Sequence, residues 1–108
     1  MLSFDSRGRV KGCDLLGEGT VNASEVYPRK IAECAVRRGA SSVILAHNHP
    51  SGVANASDDD ISATLALFAT LRSMGIRLYR HVVVAGRDHF VIEPDEEGRE
   101  VNKLGRVY

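Results

Sequence analysis

Residues 43–60, VILAHNHPSGVANASDDD, carry the strongest structural signal in the chain. An apolar run ends at His47 and His49, which a single residue separates, and a Pro-Ser-Gly turn and a serine with three acids follow. Because side chains alternate along a strand, the two histidines are expected to point to the same side. Two imidazoles in this arrangement suit metal chelation better than they suit a hydrophobic core.

The acids that follow make a zinc site chemically plausible. A catalytic zinc usually has three protein ligands and an open fourth position. His47 and His49 can supply two nitrogens from one strand end, and a carboxylate of the next helix can supply the third ligand. Zinc can lower the pKa of its bound water to about 7, so hydrolysis is the natural use of such a site.

Composition predicts one small globular domain. The chain has 108 residues, of which 44% are hydrophobic, and its 14 basic residues balance its 14 acidic residues. Because phosphate contacts dominate nucleic-acid affinity, a neutral domain is not expected to bind nucleic acid directly by itself. No basic leader and no apolar run of about 18 residues is present, so we expect a cytoplasmic protein with no membrane contact. Cys13 and Cys34 form no CxxC pair, and we interpret both as small core residues.

The first half of the chain reads as a hairpin, a helix and a strand. Residues 1–5 and 10–16 are predicted to pair as a β-hairpin. A helix should run from Pro28 to Gly39, because proline suits a helix start and glycine a helix end. Its predicted buried stripe is Ile31, Ala32, Ala35 and Val36. Residues 42–46 should form a short buried strand that delivers His47 at its carboxyl end, where open α/β sheets place ligands.

A second helix and two more strands complete the prediction. Ser57 is expected to open the helix and Gly75 to stop it. The buried stripe of this helix should consist of Ile61, Leu65, Phe68 and Leu71. Strands are predicted at residues 78–84 and 89–92, and the chain turns polar after residue 92. The order β-β-α-β-α-β-β predicts an α/β fold, a mixed sheet flanked by helices.

Several of these residues have simpler structural readings. Ser57 and Asp60 match a capping box, in which an N-cap serine and an N3 acid satisfy free amides at a helix start. The two acids between them suit a solvated first helical turn. Strand alternation places Tyr79 and His81 on one face, and we interpret His81 as a structural residue.

The pattern His47-x-His49-Pro50 followed by Ser57-x-x-Asp60 resembles the JAMM motif of JAB/MPN+ metalloproteases. Together with Gly19-Thr20-Val21 and Tyr27-Pro28-Arg29, it resembles the RadC-like branch of that family. The resemblance implies a JAB/MPN-like, cytidine-deaminase-like fold over residues 1–94, followed by a polar tail over 95–108. It also implies that an N-terminal strand start is missing.

Carried over residue by residue, the resemblance implies that His47, His49 and Asp60 ligate Zn²⁺. Ser57 would polarise the scissile carbonyl or hold its oxyanion. Such enzymes hydrolyse peptide or isopeptide bonds with zinc-activated water. RadC-like proteins carry a DNA-repair label, but the motif implies no particular substrate and leaves self-association open.

The chain departs from the family pattern at three points. Ala56-Ser57 stands where the family usually has Pro-Ser. Pro28-Arg29-Lys30 stands where Pro-Arg-Glu is common. The glutamate that serves the family as general base would precede Met1. If the hairpin has a two-residue loop at Arg7-Gly8, Met1 lies opposite Asp14, and the same ladder places the absent glutamate near Glu18. We therefore take Glu18 as a candidate catalytic base.

Two further readings stay open beside the zinc hydrolase. The first is a non-catalytic module that keeps the fold for binding metal or a partner in a DNA-repair-associated RadC-like protein. The second is deaminase-like chemistry on a base, which typically pairs His-x-Glu with Pro-Cys-x-x-Cys. Neither deaminase motif occurs in the chain.

Overall fold

The computed structural model describes residues 1–17, 28–48, 58–94 and 100–106, with side chains for 1–17, 28–48 and 61–94. Within these ranges the chain forms six strands and two helices. Their bounds are β1 Leu2–Phe4, β2 Val10–Cys13, α1 Pro28–Arg37, β3 Ser42–Asn48, α2 Asp58–Ser73, β4 Arg77–Ala85, β5 Asp88–Pro94 and β6 Glu100–Arg106.

The described strands form one mixed sheet in the order β2-β1-β3-β4-β5-β6. β3 and β4 are parallel, and every other neighbouring pair is antiparallel. Helix α2 provides the crossover that parallel neighbours need. The α/β class and the mixed sheet with two helices agree with the sequence prediction, whereas the strand β6 adds an element to the predicted order.

The N-terminal hairpin confirms the predicted register but not the predicted turn. Asp5 N–H donates to the Arg9 carbonyl and Gly8 N–H to the Asp5 carbonyl, so the loop has three residues rather than two. Gly8 has a φ of 77°, the left-handed conformation that such loops place on glycine. A register shift after Ser3 compensates, and Asp14 N–H donates to the Met1 carbonyl as expected.

Both helices contribute to one hydrophobic core with β3 and β4. Its strand members include Val43, Leu45 and Leu78. The helices end as predicted in turns with a glycine of positive φ, Gly39 and Gly75, which is the usual C-terminal arrangement. The helix residues of the core are Ile31 and Ala35 from α1, and Leu67, Phe68 and Leu71 from α2.

Three sequence predictions about burial are wrong. Val36, predicted to be in the α1 stripe, is 57% exposed, and Cys34 is buried in its place. Ile61 and Leu65 are only half-buried because the buried face of α2 is rotated toward Thr64 and Leu67. Cys13 is exposed, since β2 is an edge strand, and only Cys34 is the buried thiol that was expected.

The C-terminal segment and the helix lengths bear on two other sequence predictions, the polar tail and the absence of membrane contact. Residues 100–106, within the segment predicted as a polar tail, form β6 and pair antiparallel with β5. Among the helices of the described ranges, neither is long and apolar enough to cross a membrane.

A charged cluster ties the end of the hairpin to α1. Arg38 donates from Nε and Nη2 to the two carboxylate oxygens of Asp14, at 2.9 and 2.6 Å, and Cys34 Sγ donates to the same carboxylate at 3.2 Å. These bonds, with the Arg38 bond foremost, hold the pKa of Asp14 well below its usual range. Burial, followed by the bond to Asp14, raises the pKa of the Cys34 thiol.

We expect the Asp14 carboxylate to stabilise the fold at neutral pH and to lose that effect in acid. Its pKa is lower folded than unfolded, so the stabilisation is present above the unfolded value of about 3.9 and falls as pH drops below it. Urea unfolding of wild type and Asp14→Asn should show a gap in stability at pH 7 that narrows below about pH 4. The control is Glu33→Gln, because Glu33 forms an exposed ion pair with Arg29 within α1. A gap that does not change with pH would contradict this role.

Gly12→Ala should disrupt the ion pair between Arg38 and Asp14 by crowding the Arg38 side chain. A Cβ at Gly12 would lie 2.5 Å from Nε and Cζ of Arg38, so the guanidinium must shift, and we expect its bonds to Asp14 to weaken. Gly12→Ala and Asp14→Asn would then weaken the same interaction. The double variant should therefore lose less free energy of unfolding at pH 7 than the two single variants lose in sum. Strict additivity in urea unfolding would show that Gly12 and Asp14 act separately.

Candidate functional site

His47 lies near the carboxyl end of β3, within the strand rather than just after it. Its side chain is half-buried, whereas the neighbouring Ala46 and Asn48 are exposed on the opposite face. In the parallel ladder His47 pairs with Val83 of β4. The strand therefore holds the imidazole near its carboxyl end, on the face of the sheet that carries the core.

His47 takes part in a chain of hydrogen bonds with two buried residues. Its Nδ1 lies 2.7 Å from Nε2 of His81, and Nδ1 of His81 lies 2.7 Å from Oγ1 of Thr64. The two imidazole rings are 4.7 Å apart and tilted by 54°. His81 is 3% exposed and Thr64 is 1% exposed, so both polar groups depend on these bonds for compensation. We call this chain the Thr64–His81–His47 relay.

An extra residue in β4 gives His81 its direction. Val43 pairs with Leu78 and Ile44 pairs with Arg80, so Tyr79 has no partner in β3. Such a bulge reverses the alternation of side chains beyond it. Leu78 and His81 are consequently both buried, whereas Tyr79 is 42% exposed. The sequence prediction that Tyr79 and His81 share a face is wrong for this reason.

The other predicted site residues are only partly covered by the described ranges. Asp60 lies in the first turn of α2, but its side chain is not among those described. His49, Ser57 and Glu18 lie outside the described residues. Their ligand, oxyanion and base roles stay predictions, as does the capping box. Within the described part of the chain, no group of three or more His, Cys, Asp or Glu residues could hold a metal ion.

Sequence reasoning missed the roles of Thr64 and His81 beside His47. A threonine four residues after Asp60 shares a helix face with it, which is a usable signal. A histidine within an apolar strand is a second signal. Strand alternation nevertheless hid the connection, because it assigned His81 and the buried Leu78 to opposite faces.

The geometry selects one ring nitrogen of His47 for any metal. Since Nδ1 faces His81, a metal would be coordinated through Nε2. Histidines that bind metals usually donate their other N–H to a nearby acceptor, which fixes the tautomer and the ring orientation. The environment of His47 fits a zinc ligand in this respect.

The site lies within a domain of a known family. Residues 1–98 match the family model of the RadC-like JAB domain. A UPF0758 protein of Finegoldia magna is 38% identical over 87 residues, which are 81% of this chain and 39% of that protein. UPF0758 protein Reut_A2732 of Cupriavidus pinatubonensis is 44% identical over 85 residues, 79% of this chain and 37% of that protein.

UPF0758 protein HEAR2468 of Herminiimonas arsenicoxydans shows the same relationship. It is 42% identical over 87 residues, which are 81% of this chain and 39% of that protein. The matches thus span about two-fifths of the length of these curated relatives. The length and consistency of the family match settle the classification, and this chain belongs to the RadC-like JAB domain family.

Proposed function

We propose that this domain is a zinc-dependent hydrolase that cleaves a peptide or isopeptide bond. The observation that carries the proposal is the 2.7 Å contact between His47 Nδ1 and His81 Nε2. It gives His47 the orienting partner that metal-binding histidines normally have, and His47 heads the motif that resembles JAMM. Two imidazoles and one carboxylate are also a donor set that catalytic zinc sites use.

The backbone arrangement supports Asp60 as a third ligand. Helix α2 leads from the end of β3 to the start of the parallel strand β4, so it runs antiparallel to both. Thr64 contacts His81, and Asp60 precedes Thr64 by four residues, a rise of about 6 Å toward the carboxyl edge of the sheet. The two residues from His81 to Val83, the partner of His47, advance about 6.6 Å in the same direction. By these approximate distances Asp60 lies about as far along the strand direction as His47, which supports their binding the same metal ion.

The proposed roles follow the chemistry of each residue. His47, His49 and Asp60 would hold Zn²⁺, and the ion would supply Lewis-acid chemistry for hydrolysis at neutral pH. The Ser57 hydroxyl donates a hydrogen bond to the oxygen on which negative charge develops during hydrolysis. Glu18 is the candidate that accepts the proton from water and returns it to the leaving amine.

Protein purified without added metal should contain about one zinc per chain. Asp60→Ala should lose most of this zinc, because it removes the only anionic ligand of the proposed set. The matched control is Asp59→Ala, which removes the same charge from the same helical turn and should retain zinc. Elemental analysis with a parallel thermal unfolding scan measures the outcome. Equal zinc in all three proteins, or zinc in none, would overturn the proposed site.

Hydrolysis can be tested without a known substrate. The zinc-loaded chain should generate new amino termini, or release lysine-linked branches, in a peptide library that contains both linear and isopeptide bonds. Ser57→Ala should cleave about 10²–10³-fold more slowly, as for loss of an oxyanion donor, while it keeps its zinc. Mass spectrometry of the products gives the cleavage rates, with Asp60→Ala as the inactive control. Zinc binding without any cleavage would instead support the partner-binding module.

A further inference from the structure

We propose that His81, held by Thr64, is a positioning residue that sets His47 in the tautomer needed for zinc. This inference rests on the proposed zinc site and adds two residues that the JAMM-like pattern does not contain. It concerns the direction of the hydrogen bonds in the Thr64–His81–His47 relay. No direct contact between His81 and the metal is required.

The relay has only two consistent directions when both imidazoles are neutral, because each ring has one donor and one acceptor nitrogen. In the first, His47 Nδ1–H donates to His81 Nε2, and His81 Nδ1–H donates to Thr64 Oγ1. In the second, Thr64 donates to His81 Nδ1, and His81 Nε2–H donates to His47 Nδ1. Only the first direction leaves a lone pair on Nε2 of His47, so only the first permits a metal there.

Thr64 is suited to the accepting role in the first direction. A hydroxyl accepts a bond from His81 and still has its own proton for another acceptor, and helical threonines commonly donate to the carbonyl four residues earlier. Thr70 shows this pattern in the same helix, with its hydroxyl 3.1 Å from the Ala66 carbonyl. Helix α2 can thus supply the acceptor at the far end of the relay without leaving a buried proton unsatisfied.

Burial makes the arrangement rigid. His81 lies between Leu45 of β3 and Ile92 of β5 in the sheet register, and its side chain is 3% exposed. A buried ring with both nitrogens engaged has one orientation, and it imposes that orientation on the half-buried His47. Partners of this kind typically change metal affinity by about 10–100-fold when they are removed.

The decisive variants alter His81 without touching a zinc ligand. His81→Phe keeps an aromatic ring but removes both nitrogens, and we expect it to weaken zinc binding by about 10–100-fold. His81→Gln can return an amide oxygen to the position of Nε2, and it should restore much of the affinity. Thr64→Val should weaken binding and Thr64→Ser should not, since the serine keeps the hydroxyl. Zinc affinity is measured by competition with a chromogenic chelator at a single pH.

A second readout separates positioning from simple support of the fold. Long-range ¹H–¹⁵N correlation spectra of the zinc-loaded wild-type protein should show His47 protonated at Nδ1 and His81 protonated at Nδ1. Thermal unfolding of the metal-free variants records any loss of stability. A structural role alone would lower the melting temperature and leave zinc affinity among the folded variants unchanged.

The possible failures are distinguishable. If wild type binds no zinc, the proposed function is wrong and this inference is wrong with it. If wild type binds zinc but His81→Phe and Thr64→Val bind it equally well, the zinc site stands and the positioning role is refuted. If His81→Phe does not fold, the comparison of His81→Gln, Thr64→Val and Thr64→Ser decides. Zinc bound through Nδ1 of His47 would also overturn the inference.

Discussion

The unpaired residue Tyr79 in β4 is the constraint on which the described site depends. A regular parallel ladder would place Leu78 and His81 on opposite faces of the sheet. The bulge lets Leu78 fill the core beside Val43 and still turns His81 toward α2. One strand therefore serves both the core and the site. Bulges are over-represented beside active sites, where they change the direction in which side chains point.

The same strand also separates two chemical environments. On the His81 face the neighbours are the core and Thr64, and a polar ring persists there because both of its nitrogens are bonded. On the other side Arg80 lies 3.8 Å from Glu93 and 5.1 Å from the ring centre of Tyr79. The Arg80 and Glu93 side chains are 42% and 26% exposed, so water screens this ion pair more than it screens the buried relay.

Much of the fold could be predicted from local chemistry. Pro28 and the glycines after each helix mark turns that few other residues favour, and the hairpin register was correct despite a different loop. Burial of individual residues was harder to predict. Val36 and Cys13 are apolar, but their exposure depends on the rotation of α1 and the edge position of β2, which no short sequence window contains. Strand β6 was missed because its residues lack an alternating apolar pattern.

The candidate site, like the fold, could be predicted where the signal is local and not where it depends on distant residues. His47 could be identified from its place after an apolar run, and the likeness to JAMM supplied the proposed ligand set. The Thr64–His81–His47 relay could not be predicted, because alternation fails at Tyr79 and because Thr64 and His81 are 17 residues apart. Its local signs in the sequence are a threonine four residues after Asp60 and a histidine within an apolar strand. Long-range polar pairs of this kind become visible only when the sheet register is known.

A zinc-bound crystal structure gives the most direct test of the central claim, that His47 is a metal ligand oriented by His81. The anomalous difference map should show one zinc at about 2.0–2.1 Å from Nε2 of His47, with the contact between His47 Nδ1 and His81 Nε2 retained. An anomalous peak on Nδ1, or a zinc site that does not include His47, would contradict the account.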